Sequence, residues 1–198
     1  MKSATLLLLF LLAPCGFALE VSAPDNSWHL TVPEGFAASP LPPGKVLAAF
    51  AKPGADGAVS RAIVLEDLGA TLSRKPLDKN ALPANEATAV LSRAEWKSFP
   101  VDVIEVTEPV NGVPWLTLNA HIPLKPKAVQ VKVSGPAERQ ADVHALLTTT
   151  LAGLDGETNW LTGGQRIWVL TKGLLQLTLL IALVAAPAVY FTRKKQKK

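Results

Sequence analysis

The sequence predicts an α+β domain, an antiparallel sheet of about six strands flanked by helices in an α/β/α sandwich, plus one C-terminal transmembrane helix. Three observations lead there. Between Leu19 and Asp155, short runs alternate apolar and polar residues and are parted by Pro and Gly, as half-buried strands are. Val143, Leu146, Leu147, Leu151 and Leu154 recur at helical spacing. Gly173 to Phe191 carries no charge over roughly 19 residues, about the length of helix that crosses a hydrocarbon core, and a basic cluster follows.

The elements follow in chain order. Trp28, Leu30 and Val32 share one face of a strand that Pro33-Glu34-Gly35-Phe36 ends. A proline-rich turn precedes Val46 to Phe50, and the turn Lys52 to Gly57 joins that strand to Val59 to Leu65 as a hairpin. Gly69 to Pro83 reads as an irregular loop. Asn85 to Phe99 reads as a helix, with Ala87, Val90, Leu91 and Ala94 on one face; Ser92-Arg-Ala-Glu95 fits a capping box, so the helix could begin only there. Val101 to Thr107 is a strand, and Glu108 to Gly112 turns it into Trp115 to Ile122. There Leu116, Leu118, Ala120 and Ile122 alternate with Trp115, Thr117, Asn119 and His121. Ala128 to Val133 is the last strand, with Val129, Val131 and Val133 on one side. The closing helix starts at Gly135-Pro136, proline being suited to a first helical position, and stops at Asp155-Gly156.

The two ends set the topology. Met1 to Ala18 has a positive head, a short apolar run and small residues near its end, which makes a secretory signal peptide cleaved after Ala18. Leu12-Ala13-Pro14-Cys15 is close to a lipobox, but Pro14 stands where a small residue belongs, so Cys15 is expected to leave with the signal. Residues 19–156 form the extracytoplasmic domain, 157–172 a juxtamembrane tether, 173–191 the transmembrane helix and 192–198 a cytoplasmic tail. Arg193, Lys194, Lys195, Lys197 and Lys198 outnumber Arg166 and Lys172 at the other end, so the tail stays in the cytoplasm and the domain is periplasmic on a prokaryotic inner membrane. Trp168 and Tyr190 are placed like interfacial anchors. A buried core helix is the competing reading of this run, and its length and basic terminus speak against it. Lys2 and the five tail cations contribute +6 against a formal net charge of +4, so the rest of the chain sums to about −2, with no nucleic-acid footprint.

Trp28-x-x-x-Val-Pro-Glu-Gly-Phe36 resembles the opening strand and turn of the Mog1/PsbP-like superfamily of α/β/α sandwiches. Trp115-Leu-Thr-Leu-Asn-Ala-His-Ile-Pro-Leu, Val129-Gln-Val-Lys-Val-Ser-Gly-Pro136 and the closing helix are similar to its final hairpin and helix. The resemblance spans most of Ser27 to Asp155. It implies a non-enzymatic binding or assembly module, and no functional residue of the superfamily maps onto a position here.

Chemistry is sparse. There is no nucleophile elbow, phosphate-cradling glycine loop or His-x-x-x-His pair, and a chain without Cys15 has no thiol, so no catalytic residue, cofactor or metal ligand is assigned. His29 should point away from the Trp28 face, and His144 lies beside the apolar stripe of the closing helix, where a hydrogen-bonded histidine is the simpler reading than a ligand. Glu66 and Asp67 are adjacent, so on a strand they cannot share a proton, and a solvated turn is their default. Trp96 is expected to pack the 85–99 helix on the sheet, and Trp160 to lie near the membrane. The candidate binding face is Trp115, Thr117, Asn119 and His121, an aromatic, hydroxyl, amide and imidazole at every second position; a helix covering Trp115 is the alternative.

These readings lead to a membrane-anchored binding or adaptor protein without catalytic activity, its partners the lipid bilayer and an envelope protein. A cell-envelope hydrolase or glycan-binding domain is the alternative, and it requires carboxylates converging near Trp115 and His121. A third reading, a C-terminal sorting signal, lacks a Leu-Pro-x-Thr-Gly or Pro-Glu-Pro before the helix.

Overall fold

The computed structural model describes residues 19–55, 57–78, 82, 89–161 and 163–195. The expected signal peptide lies outside the described residues. The chain forms two units, one ending at Asn159 and one beginning at Trp160.

The first unit is α+β, built on two antiparallel sheets. Strands β1 (Leu19–Ser22), β2 (Trp28–Val32) and β10 (Leu154–Gly156) form a small sheet in the order β1-β2-β10. A larger sheet of seven strands, where about six were expected, has the order β3-β4-β5-β9-β8-β7-β6. Its strands are β3 (Ala37–Ala38), β4 (Val46–Pro53), β5 (Val59–Asp67), β6 (Val90–Trp96), β7 (Phe99–Val110), β8 (Val113–Ile122) and β9 (Val129–Pro136). A short 3-10 turn, Ala137–Arg139, leads into helix α1 (Gln140–Gly153).

The pleat decides what each face carries, because successive side chains of a strand point to opposite sides. Phe50 stands opposite Ile63, Ile63 opposite Val133, and Val133 opposite Leu118, all four fully buried. Leu65, Val131, Ala120 and Val103 form the next row, equally buried. Helix α1 lies against β6, β8 and β9 and also meets β2. Its buried residues Val143, Leu146, Leu147 and Leu151 are the predicted stripe, each full burial stabilising by about 1.5–3 kcal/mol. Thr150, buried among them, donates its hydroxyl to the Leu146 carbonyl at 2.8 Å, so no polar group is left unsatisfied there. A Cβ on Gly153 would stand 2.5 Å from the Thr31 carbonyl oxygen, so glycine lets the helix end close on β2.

The segment read as a helix over 85–99 is a correction. Residues 90–96 are β6, paired antiparallel with β7 from Val90↔Glu105 to Trp96↔Phe99, and residues 85–88 lie outside the described ones. Lys97 and Ser98, at φ 48° and 65°, make a two-residue turn whose left-handed backbone matches the twist of a hairpin. Helical spacing and a capping-box pattern yield here to a buried Trp96 and Phe99 at the two strand ends. Trp96 therefore packs from a strand. Leu154, placed on the closing helix, is buried at the start of β10 instead. The turn after β7 is tighter than Glu108 to Gly112: Asn111 and Gly112 alone, at φ 51° and 81°, reverse the chain.

The second unit contains helix α2 (Gly163–Lys195), which begins ten residues before the expected span and continues through Pro187 to the basic end. The 157–172 segment read as a tether is thus already helical from Gly163. Among the described residues no helix is long and apolar enough to cross a membrane. The side chains of residues 184–195 lie outside the described ones, and with them the second half of the 173–191 segment.

Candidate functional site

Strand β8 is central in the large sheet, between β7 and β9, and its alternation sorts its residues cleanly. Leu116, Leu118, Ala120 and Ile122 are buried on the side of α1. Trp115, Thr117, Asn119 and His121 are half-buried on the other side, so the four residues picked from the sequence do share one face.

Their neighbours on β9 extend that face. Thr117 stands opposite Ser134, Asn119 opposite Lys132, and His121 opposite Gln130. Asn119 donates its amide to the Ile104 carbonyl of β7 at 3.2 Å, which fixes its side chain across the sheet. The Gln130 amide lies 3.1 Å from His121 Nε2. Lys132 donates to Glu66 Oε1 at 2.8 Å, bringing a carboxylate from β5 to this surface. The arrangement is a polar band with an aromatic end, its amides, imidazole and lysine held by partners within the sheet.

Glu66 and Asp67 lie within β5 and not in a turn, a second correction. They point to opposite faces as the spacing requires, and each meets a different lysine: Glu66 meets Lys132, and Asp67 meets Lys127 at 3.1 Å. His29 is exposed and 3.3 Å from Asp155, on the side away from buried Trp28, as expected. His144 stands on α1, its Nε2 3.7 Å from Glu105 Oε2 and 3.4 Å from the Gln140 amide, so it is a surface helix residue with partners. Among the described residues no three His, Cys, Asp or Glu side chains gather as a metal site would need.

Sequence reasoning missed a cavity of about 450 Å³ on the opposite side of the sheet, beside buried Val129. Trp28, Val46, Leu47 and Pro126 give it apolar walls, and Asp25, Asp67 and Lys127 stand on it. Both carboxylates are held below the usual carboxylate range. For Asp25 the hydroxyl and N–H of Ser27 are the cause; for Asp67 the N–H of Gly69 comes first, then Lys127 and Lys45. Each is therefore an ionised acceptor near neutral pH, not a proton donor. The turns Pro24-Asp25-Asn26-Ser27 and Lys125-Pro126-Lys127 were the signals available, but nothing local says that they converge.

No protein-family model matches the chain, and no curated protein matches it in sequence. Solved structures are similar. A protein of Bacteroides thetaiotaomicron is 11% identical with a TM-score of 0.50 over 71% of this chain and 48% of its own, so this chain spans just under half the length of that protein. The Saccharomyces cerevisiae Ran-binding protein Mog1p is 14% identical, TM-score 0.47, over 71% of this chain and 96% of its own. Cyanobacterial PsbP from Synechocystis is 14% identical, TM-score 0.46, over 73% and 96%. These likenesses concern the fold alone, and at such identities no residue role passes with them.

Proposed function

We propose that the chain is a membrane-anchored binding or adaptor protein that works without catalysis and presents the β8 band to an envelope protein. The observation that carries this reading is the band itself: Trp115, Thr117, Asn119 and His121 on one face, continued by Gln130 and Lys132, opposite the face that packs on α1. A half-buried indole beside held amides offers apolar area and hydrogen bonds together, the mixture that interface anchors use.

The anchoring part of the proposal comes from the segment 173–191 and the basic tail, with the domain on the periplasmic side and the tail in the cytoplasm. Leu174, Leu175, Leu177, Leu179, Leu180 and Ile181 are spread around the helix and not gathered into one stripe, a pattern that lipid accommodates and water penalises.

The test is a crosslinking pull-down from native membranes with the intact protein, comparing the parent chain with Trp115→Ala and His121→Ala. A stoichiometric partner lost at least about tenfold in Trp115→Ala supports the reading. Full retention of that partner in both variants overturns the band as the site. Recovery of a bound glycan in place of a protein moves the glycan-binding reading forward. Protease added outside spheroplasts should remove the domain and leave the tail; protection of the domain overturns the proposed topology.

A further inference from the structure

The large sheet has two ends, and they differ. At one end β3 is only two residues long and offers no template. At the other, β6 is seven residues long, and among the described residues only β7 pairs with it.

Which backbone groups of β6 face outward follows from one residue. Glu95 stands opposite Pro100, and proline has no N–H, so that pair cannot exchange both hydrogen bonds. In an antiparallel ladder hydrogen-bonded and non-bonded pairs alternate. Ser92, Ala94 and Trp96 therefore bond toward β7, which agrees with Trp96↔Phe99 closing a two-residue turn. Leu91, Arg93 and Glu95 direct their N–H and C=O groups away from β7.

Natural edge strands are commonly blunted by charged side chains, lysine above all. Here the two exposed charges are opposite in sign and two residues apart, on the face that also holds Asp102. We propose that β6 is a self-association edge, through which two copies of this chain pair antiparallel about an axis at Ala94. In that register Arg93 of each copy stands opposite Glu95 of the other, on both sides of the axis. These are also the residues whose backbone groups face outward, so the hydrogen bonds and the ion pairs fall at the same positions. Ala94 meets its own copy as a non-bonded pair, the closer kind, where a small side chain fits. Centring the pairing on Arg93 would set like charges together. Arg93 Nε lies 3.6 Å from Asp102 Oδ1 in the same chain, which holds the guanidinium on the face where Glu95 of the second copy arrives. The contact is short, so the association is weak and reversible.

The register makes the test specific. In a Cys15→Ser full-length chain in membranes, Ala94→Cys should oxidise to a covalent dimer, since a non-bonded pair about 4.5 Å apart at Cα lies within disulfide reach. Leu91→Cys should not, because Leu91 is displaced from its own copy by several residues. Arg93→Glu or Glu95→Arg should each cut dimer yield in the Ala94→Cys background by about tenfold, and combining both reversals with Asp102→Asn, which removes the carboxylate opposite position 93 in the same chain, should restore it. Arg93→Pro should also abolish the dimer while the domain still unfolds cooperatively, because the N–H that proline removes is not used by β7. Monomer from Ala94→Cys, equal crosslinking by Leu91→Cys, or failure of the double reversal with Asp102→Asn to restore the dimer overturns the proposal.

Discussion

Trp96 Nε1 donates a hydrogen bond of 2.8 Å to the Leu154 carbonyl, tying the edge strand of the large sheet to the first residue of the small sheet's β10. Trp96 is 1% exposed and Leu154 also 1%, so the bond is shielded from water. It links residues 58 apart in sequence, at the point where α1 has just ended.

That bond makes Trp96 a joint between two sheets. Trp96→Phe keeps most of the ring and strands a buried carbonyl, so it should cost about 1–3 kcal/mol. Trp96→Ala adds a cavity and should cost about 3–5 kcal/mol. Urea unfolding with the slope unchanged is the measurement. If Trp96→Phe is neutral, the bond contributes nothing and the joint is packing alone.

The same residue shows where sequence reasoning reached and where it stopped. Strands whose partners are neighbours in the chain were legible: the alternation of Leu116 to Ile122 and of Val129 to Val133 and the turn at Asn111-Gly112 are local signals. The Trp115–His121 face could be read for the same reason, since period-two alternation alone puts those side chains together. β6 was misread because Ala, Leu, Arg and Glu favour helix and its turn, Lys97-Ser98, lacks the usual Asn-Gly. What makes it a strand is non-local, Leu154 for its tryptophan and β7 for its backbone. The small sheet and the cavity beside Trp28 were illegible on the same ground, their walls coming from distant segments.

Asp67 makes stability depend on acid pH. Its carboxylate accepts the Gly69 N–H at 2.6 Å and meets Lys127 at 3.1 Å, so its folded pKa lies below its unfolded value of about 3.9. A lowered folded pKa means the unfolded chain takes up the proton first. The stabilisation is therefore complete above the unfolded value and is lost as pH falls through the folded one. Asp67→Asn should be less stable than the parent by under about 1 kcal/mol at pH 7, since the pair is partly solvated and an amide oxygen still accepts from Gly69. The gap should close as pH falls through the lowered folded value. Lys127→Met should cost less than Asp67→Ala, because the Gly69 N–H is the larger cause. Thermal melts of the variants across pH 2 to 8 decide it, and a gap that persists unchanged at the acid end removes Asp67 from the account.

Ser98 offers a measurement whose sign separates strand from helix over this stretch. Its φ of 65° and that of Lys97, 48°, are left-handed values that a side chain resists and glycine adopts freely. Ser98→Gly in the hairpin turn should raise stability by about 0.5–1 kcal/mol despite the added freedom of the unfolded chain. In a helix over 85–99 the same change would lower stability, since glycine there is disfavoured relative to serine by a few tenths of a kcal/mol. Lys97 is a poorer site for the experiment. Its ammonium pairs with Asp155 and donates to the Gly156 carbonyl at 2.8 Å, and partial burial holds it below the ordinary lysine value. Lys97→Gly would lose those contacts to β10 as it relieves the backbone. The midpoint of urea unfolding should therefore rise for Ser98→Gly and fall for Lys97→Gly; a fall in both would mean that the turn gains nothing from glycine.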